Sequence, residues 1–132
     1  MLFRPDLAAK VVLGEKTQTR RVKRPGETAE YDLVGGTGII AVRSAGGRLK
    51  WIAGGTYAVQ PGRGKRGIGR LRIVGIYEGR AGEITPEDAR AEGFESVEEF
   101  AAAWNKINRR PPHRFEDNPE VWVLVFVSLA LA

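Results

Sequence analysis

The sequence predicts an α+β fold, a small β-barrel with short helices packed on it, and three observations lead there. Several short β-leaning runs are separated by glycine-rich turns, one acidic helical block interrupts them, and an apolar run at residues 121–127 returns the chain as a strand. Nothing repeats and no linker divides the 132 residues, so one domain over 1–132 is expected. That length can bury a core without disulfide or metal staples.

Asp6 is placed to cap a first turn, Leu7 and Val11 share a helical face, and Gly14 supplies the left-handed position that ends one or two turns of helix. Residues 17–22 lean to β and leave that turn as a strand, which Pro25-Gly26 ends; residues 26–36 read as an exposed loop. Residues 38–44 and 48–52 flank Ala45-Gly46-Gly47 and predict a hairpin, and residues 56–60 add a short strand. Over residues 69–77, Leu71, Ile73 and, past a shift, Ile76 form an apolar face, with Arg70 and Arg72 alternating against it. This is the period of a half-buried strand with a basic outer face.

The helical block spans residues 85–108. Thr85-Pro86-Glu87-Asp88 combines an N-cap threonine, proline at the first helical position and acids in the first turn. Gly93 interrupts, Ser96-Val97-Glu98-Glu99 offers a second capping box, and Val97, Phe100, Trp104 and Ile107 fall on one helical face, as core rather than as a stacking platform. Pro111-Pro112 closes the block. The apolar stretch from Val121 onward is too short to cross a bilayer as a helix, which takes roughly 20 residues, so it predicts a buried strand and no membrane partner.

Composition excludes several chemistries. The absence of cysteine removes disulfides, thiolate metal sites and cysteine nucleophiles, and it fits a reducing, cytoplasmic setting. The first residues have no apolar run behind their charge, so no signal peptide is expected. With His113 the only histidine, no histidine metal cluster or histidine-based triad can be built, and neither metal nor cofactor is expected. Gly62-Arg63-Gly64-Lys65-Arg66-Gly67 matches a dinucleotide-binding pattern, but a strand rather than a helix N-terminus follows it. It reads as a basic turn touching phosphates or as a solvated loop.

The net charge is +5, and its distribution is uneven. Arg20, Arg21, Lys23 and Arg24 form one basic cluster and Arg63, Lys65, Arg66, Arg70 and Arg72 another, while acids gather between Glu78 and Glu99. Such asymmetry orients a polyanion; the solvated surface of an arginine-rich chain has the same signature. The segment from Gly14 to Arg21 adds two hydroxyls, Thr17 and Thr19, to Lys16 and two arginines, a set able to meet phosphate or amide oxygens. A catalytic base here has to be a lysine or a carboxylate. Lys16 lies close to Arg20 and Arg21, whose charge would lower its pKa, although the same residue also fits a surface lysine beside a turn.

In this order the motifs resemble the ASCH domain, a branch of the PUA-like superfamily. The resemblance rests on Gly14, Lys16, Thr17, Thr19 and Arg21 after a short helix. It continues through the threonine-led acidic segment from Ile84 to Phe94, Ser96 to Phe100, and the closing apolar strand. It implies a PUA-like β-barrel and an RNA-linked role. It is also similar to a compact bacterial branch that hydrolyses the acetyl amide of acetylated cytidine. By position that branch's active residues fall on Lys16, Thr19 and Glu92: the lysine activates the threonine or water, and the glutamate manages protons at the leaving nitrogen. Arg21 would bind substrate, with Thr17, Arg20, Lys23, Arg63, Lys65, Arg66 and Arg70 as further contacts to RNA or a modified nucleoside. The region between Val22 and Thr56 is longer than in that branch. On a plain strand Lys16 and Thr19 would face opposite ways, so they converge only if residues 14–17 turn. Two functions follow: an RNA- or modified-nucleoside-binding protein with a basic cleft, or a metal-free amidohydrolase. Binding of some other anion by a regulatory protein is a weaker third.

Overall fold

The computed structural model describes residues 1–32 and 38–129. In chain order its elements are α1 (Pro5–Val12), β1 (Gln18–Val22), β2 (Thr28–Tyr31), β3 (Ile39–Arg43), β4 (Leu49–Ile52), β5 (Thr56–Val59), β6 (Gly69–Arg80), α2 (Pro86–Ala91), α3 (Val97–Ile107) and β7 (Glu120–Leu129). All ladders are antiparallel, in the orders β1-β7-β6-β5 and β2-β3-β4.

β7 organises the molecule. Its alternation sends Trp122, Leu124 and Phe126 into one core, with α1 and residues of β3, β5 and β6. Val121, Val123 and Val125 go to a second core beneath α2 and α3, with Phe94, Phe100 and Trp104. Both faces of the strand are therefore covered, which is why it reads as a continuous apolar run rather than an alternating one. β6 pairs with β7 from Arg70 to Arg80, with a register shift between Ile73 and Gly75, and Leu71, Ile73 and Ile76 stay buried across it as expected.

Several expectations need correction. No closed barrel forms among the described residues. The turn after β4 ties the two sheets together where Gly54 N donates to Ile73 O at 2.7 Å and Ala53 N to Ile40 O at 2.8 Å. Among the described residues β1 and β5 nevertheless end the larger sheet, and no ladder joins β1 to the smaller one. The segment expected as a loop over 26–36 contains β2, because its residues find a partner in β3; residues 33–36 of that expectation lie outside the described residues. α1 starts at Pro5, and Asp6 is not its cap: its carboxylate pairs with Arg4 Nε at 2.6 Å. Ile107 is 78% exposed because it ends α3 beyond the core that holds Phe100 and Trp104. The threonine and serine caps form as expected, Thr85 Oγ1 accepting from Asp88 N and Ser96 Oγ from Glu99 N, both at 3.1 Å.

Candidate functional site

Lys16 is placed by a turn. Gly14 takes a φ of +79°, open to glycine, and the N–H groups of Glu15 and Lys16 both donate to Lys10 O at the end of α1. Thr17 N then donates to Ala91 O, which pins the turn to the end of α2. Glu92 caps the C-terminus of that helix, and Gly93 follows with a φ of +99°. A Cβ at Gly93 would lie 3.0 Å from Leu7 Cδ2 and 3.6 Å from Lys16 Cβ, so glycine permits the close approach that brings Glu92 to Lys16.

The Lys16 ammonium donates to Gln18 O at 2.6 Å, Glu92 O at 2.7 Å and Glu92 Oε1 at 3.0 Å. Arg20 Nη1 donates to the other carboxylate oxygen, Glu92 Oε2, at 2.8 Å and to Gln18 Oε1 at 2.9 Å, and its Nη2 lies 3.4 Å from Asp88 Oδ2. Lys16, Glu92 and Arg20 are all buried. Burial is the main influence on Lys16 and pushes its ammonium below the ordinary lysine range; Glu92 pulls it up, and Arg21 and Arg20 add to the lowering.

Thr19 and Arg21 occupy the opposite face of β1 from Arg20, since they pair with Leu124 and Trp122 while Arg20 pairs with Val123. Thr19 is 2% exposed, and its Oγ1 accepts from Arg21 Nη1 at 2.7 Å; Arg21 Nη2 donates to Leu2 O at 2.8 Å. Arg21 Cζ sits 5.5 Å and Lys16 Nζ 5.8 Å from the Phe3 ring centroid. Because β1 ends its sheet, side chains of both its faces and of the turn before it reach one cleft of about 820 Å³. Lys16, Thr19, Arg21 and Glu92 all line it, and Phe94, Phe100, Ala103 and Trp104 supply an apolar wall.

Other expected contacts fall elsewhere. Arg20 borders the cleft, but its guanidinium is committed to Glu92, Gln18 and Asp88. Lys23 Nζ lies 4.3 Å over the Trp122 ring and pairs with Glu78 at 2.9 Å, away from the lining. Thr17 serves through its backbone, receiving Phe126 N at 2.9 Å. Of the second basic cluster only Arg63 lines the cleft; Lys65, Arg66 and Arg70 do not, and Arg70 Nη2 donates to Thr56 Oγ1 on the outer face of β6. The lining adds Arg24, Arg48, Lys50 and Trp51, which the spacing of sequence motifs did not single out as contacts. Three of them come from the hairpin strand β4 and the turn before it, so the one available signal was the longer segment between Val22 and Thr56.

No family model matches the chain, and no curated protein matches it in sequence. Solved structures share its fold, among them the following two. One, from Enterococcus faecalis V583 and of the family model DUF984, has a TM-score of 0.61 and 16% identity over 94% of this chain and 67% of its own. The other, an ASCH domain from Lactobacillus crispatus JV V101, has a TM-score of 0.67 and 17% identity over 93% of this chain and 70% of its own. The chain has the fold of an ASCH domain.

Proposed function

We propose that the protein binds a modified nucleoside, free or within RNA, in the cleft along the open edge of β1. The observation that supports this most directly is the pairing of two unlike walls. The cluster of Lys16, Thr19, Arg21 and Glu92 presents charge and hydrogen-bonding groups, while Phe94, Phe100 and Trp104 line the same cleft with apolar surface. A cleft of about 820 Å³ lies within the usual range for small-ligand sites. Calorimetric titration with plain and acylated nucleosides tests the reading: binding is expected, and Arg21→Ala should weaken it about tenfold, the cost of one charge-assisted hydrogen bond. Absence of binding across the panel, or binding indifferent to Arg21, sinks it.

A second reading, amide hydrolysis on an acylated nucleoside, is favoured by one specific observation: a buried lysine of lowered pKa lines the same cleft as a buried threonine hydroxyl. In this chemistry neutral Lys16 takes a proton from Thr19 or water, whose oxygen attacks the acyl carbon, and the C–N bond breaks as a proton passes to the leaving nitrogen through Glu92; where Thr19 attacks, water then hydrolyses its acyl ester and frees the acid. The geometry ranks it second. All three N–H bonds of the Lys16 ammonium already point at acceptors, so it can act as a base only after losing a proton. Product chromatography after incubation with N4-acetylcytidine decides: deacetylation should rise with pH through the lowered Lys16 pKa and vanish in Lys16→Met, and an inert wild-type protein removes the reading.

A further inference from the structure

The cations along the cleft divide into two groups. Arg4 pairs with Asp6, Lys16 and Arg20 with Glu92, and Lys50 with Glu27, while Arg21 donates to Thr19 and Leu2. Arg24, Arg48 and Arg63 also line the cleft, yet among the described residues none of their guanidinium groups has a carboxylate or carbonyl partner. All three are exposed and each sits on a tight turn of a different segment. Arg24 opens the turn closed by Glu27 N donating to Arg24 O at 3.1 Å, and Arg48 closes the hairpin turn by accepting from Ser44 N at its carbonyl at 2.8 Å and donating its N–H to Ser44 Oγ at 3.1 Å. Arg63 lies within the turn closed by Lys65 N on Gly62 O at 3.2 Å.

The first two turns abut. A Cβ at Gly26 would stand 2.6 Å from Ala45 Cβ, so the Arg24 turn is seated directly on the hairpin that carries Arg48. Below them Glu27 is tied to Trp122 Nε1 at 2.9 Å and to Lys50 Nζ at 2.5 Å, which fixes the base of that turn while leaving its arginine unengaged. Unpaired guanidiniums converging on one cleft repel each other and stabilise nothing; they suit an anion with several oxygens, which can accept from more than one fork at once.

We propose that Arg24, Arg48 and Arg63 form a phosphate-binding rim, so that the ligand of this cleft is a nucleoside phosphate rather than a bare nucleoside. The inference rests on the nucleoside-binding reading above and adds the phosphate to it. The phosphate has two sources, a free nucleotide or one linkage of an RNA strand, and both offer the same oxygens to the rim.

Titration of the whole protein with the four ribonucleosides, N4-acetylcytidine, their 5′-monophosphates and a six-residue single-stranded RNA tests this. At low salt a monophosphate or the RNA should bind at least about tenfold tighter than its parent nucleoside, and the advantage should shrink as salt rises. In the triple variant Arg24→Ala, Arg48→Ala, Arg63→Ala the advantage should be lost while nucleoside affinity is kept. The exposure of these side chains lets the variant fold, which circular dichroism checks. A gain confined to the monophosphates identifies a free nucleotide, and one confined to the oligomer identifies RNA. Equal affinity for nucleoside and phosphate, or an advantage that survives in the triple variant, overturns the rim and leaves the nucleoside reading standing. No binding by any nucleoside or phosphate overturns both.

Discussion

Glu92 holds two buried cations at once, one on each carboxylate oxygen. Replacing it with glutamine leaves Lys16 and Arg20 without a compensating charge, and Glu92→Gln should cost about 3–5 kcal/mol by urea denaturation, the usual penalty for breaking a buried pair. Lys16→Met should cost less, because Arg20 still neutralises the carboxylate; the reverse order would show that Arg20 does not. Glu27 offers the clearest pH signature. Burial pushes its pKa up, but hydrogen bonds from Lys50, the Arg24 backbone N–H and Trp122 outweigh it, so the folded value lies below the ordinary one. A depressed carboxylate gives its stability above the unfolded pKa, about 4.3, and loses it as pH falls through the folded value. The stability gap between the wild type and Glu27→Gln should thus be flat above about pH 5 and close in acid. The Gly14 turn and the Lys16–Glu92 pair were legible in the sequence, the latter only through family resemblance. Arg20 was not: alternation places it opposite Arg21, but only tertiary packing shows α2 covering that face and claiming the guanidinium.

At the scale of elements, α2, which brings Glu92 and Asp88 to the site, and α3, which brings its apolar wall, both begin on side-chain caps. Thr85→Ala and Ser96→Ala should each lower stability by about 1 kcal/mol, read as a shift in the urea midpoint. Thr85→Ala should also weaken ligand binding, since α2 presents Glu92 at its other end; unchanged affinity would show that the helix is held by its packing alone. These caps, the hairpin and the closing strand could all be read locally, because each is set by residues a few positions apart. β2 was missed for the opposite reason. Its four residues have no buried alternation of their own, and only pairing with β3 makes them a strand. The barrel expectation failed similarly: strand count was visible, but whether the edge of β1 finds a partner depends on contacts no local pattern records.

Across the whole molecule, β7 belongs to both cores, so neither can lose its packing without disturbing the other. Tryptophan supplies a probe for each, Trp122 in one core and Trp104 in the other. In single-tryptophan variants both emission changes should follow one denaturation curve, as two-state behaviour requires. Separate midpoints would mean that α2 and α3 detach as an independent unit.

The sharing of β7 also bears on how the chain acquires its structure during synthesis. β1 leaves the ribosome before the other described strands, yet among the described residues its ladder is with β7, the last of them to follow. Until residues 120–129 arrive, Lys16 and Thr19 flank an unpaired edge, and the apolar sides of α1 and α3 have no common wall to cover. Contacts between such distant parts of a sequence close slowly, because the intervening chain must be ordered first. The nascent protein therefore passes through a long interval in which its basic edge is open and its site unassembled, and it acquires both cores and the cleft together when the final strand slots between β1 and β6.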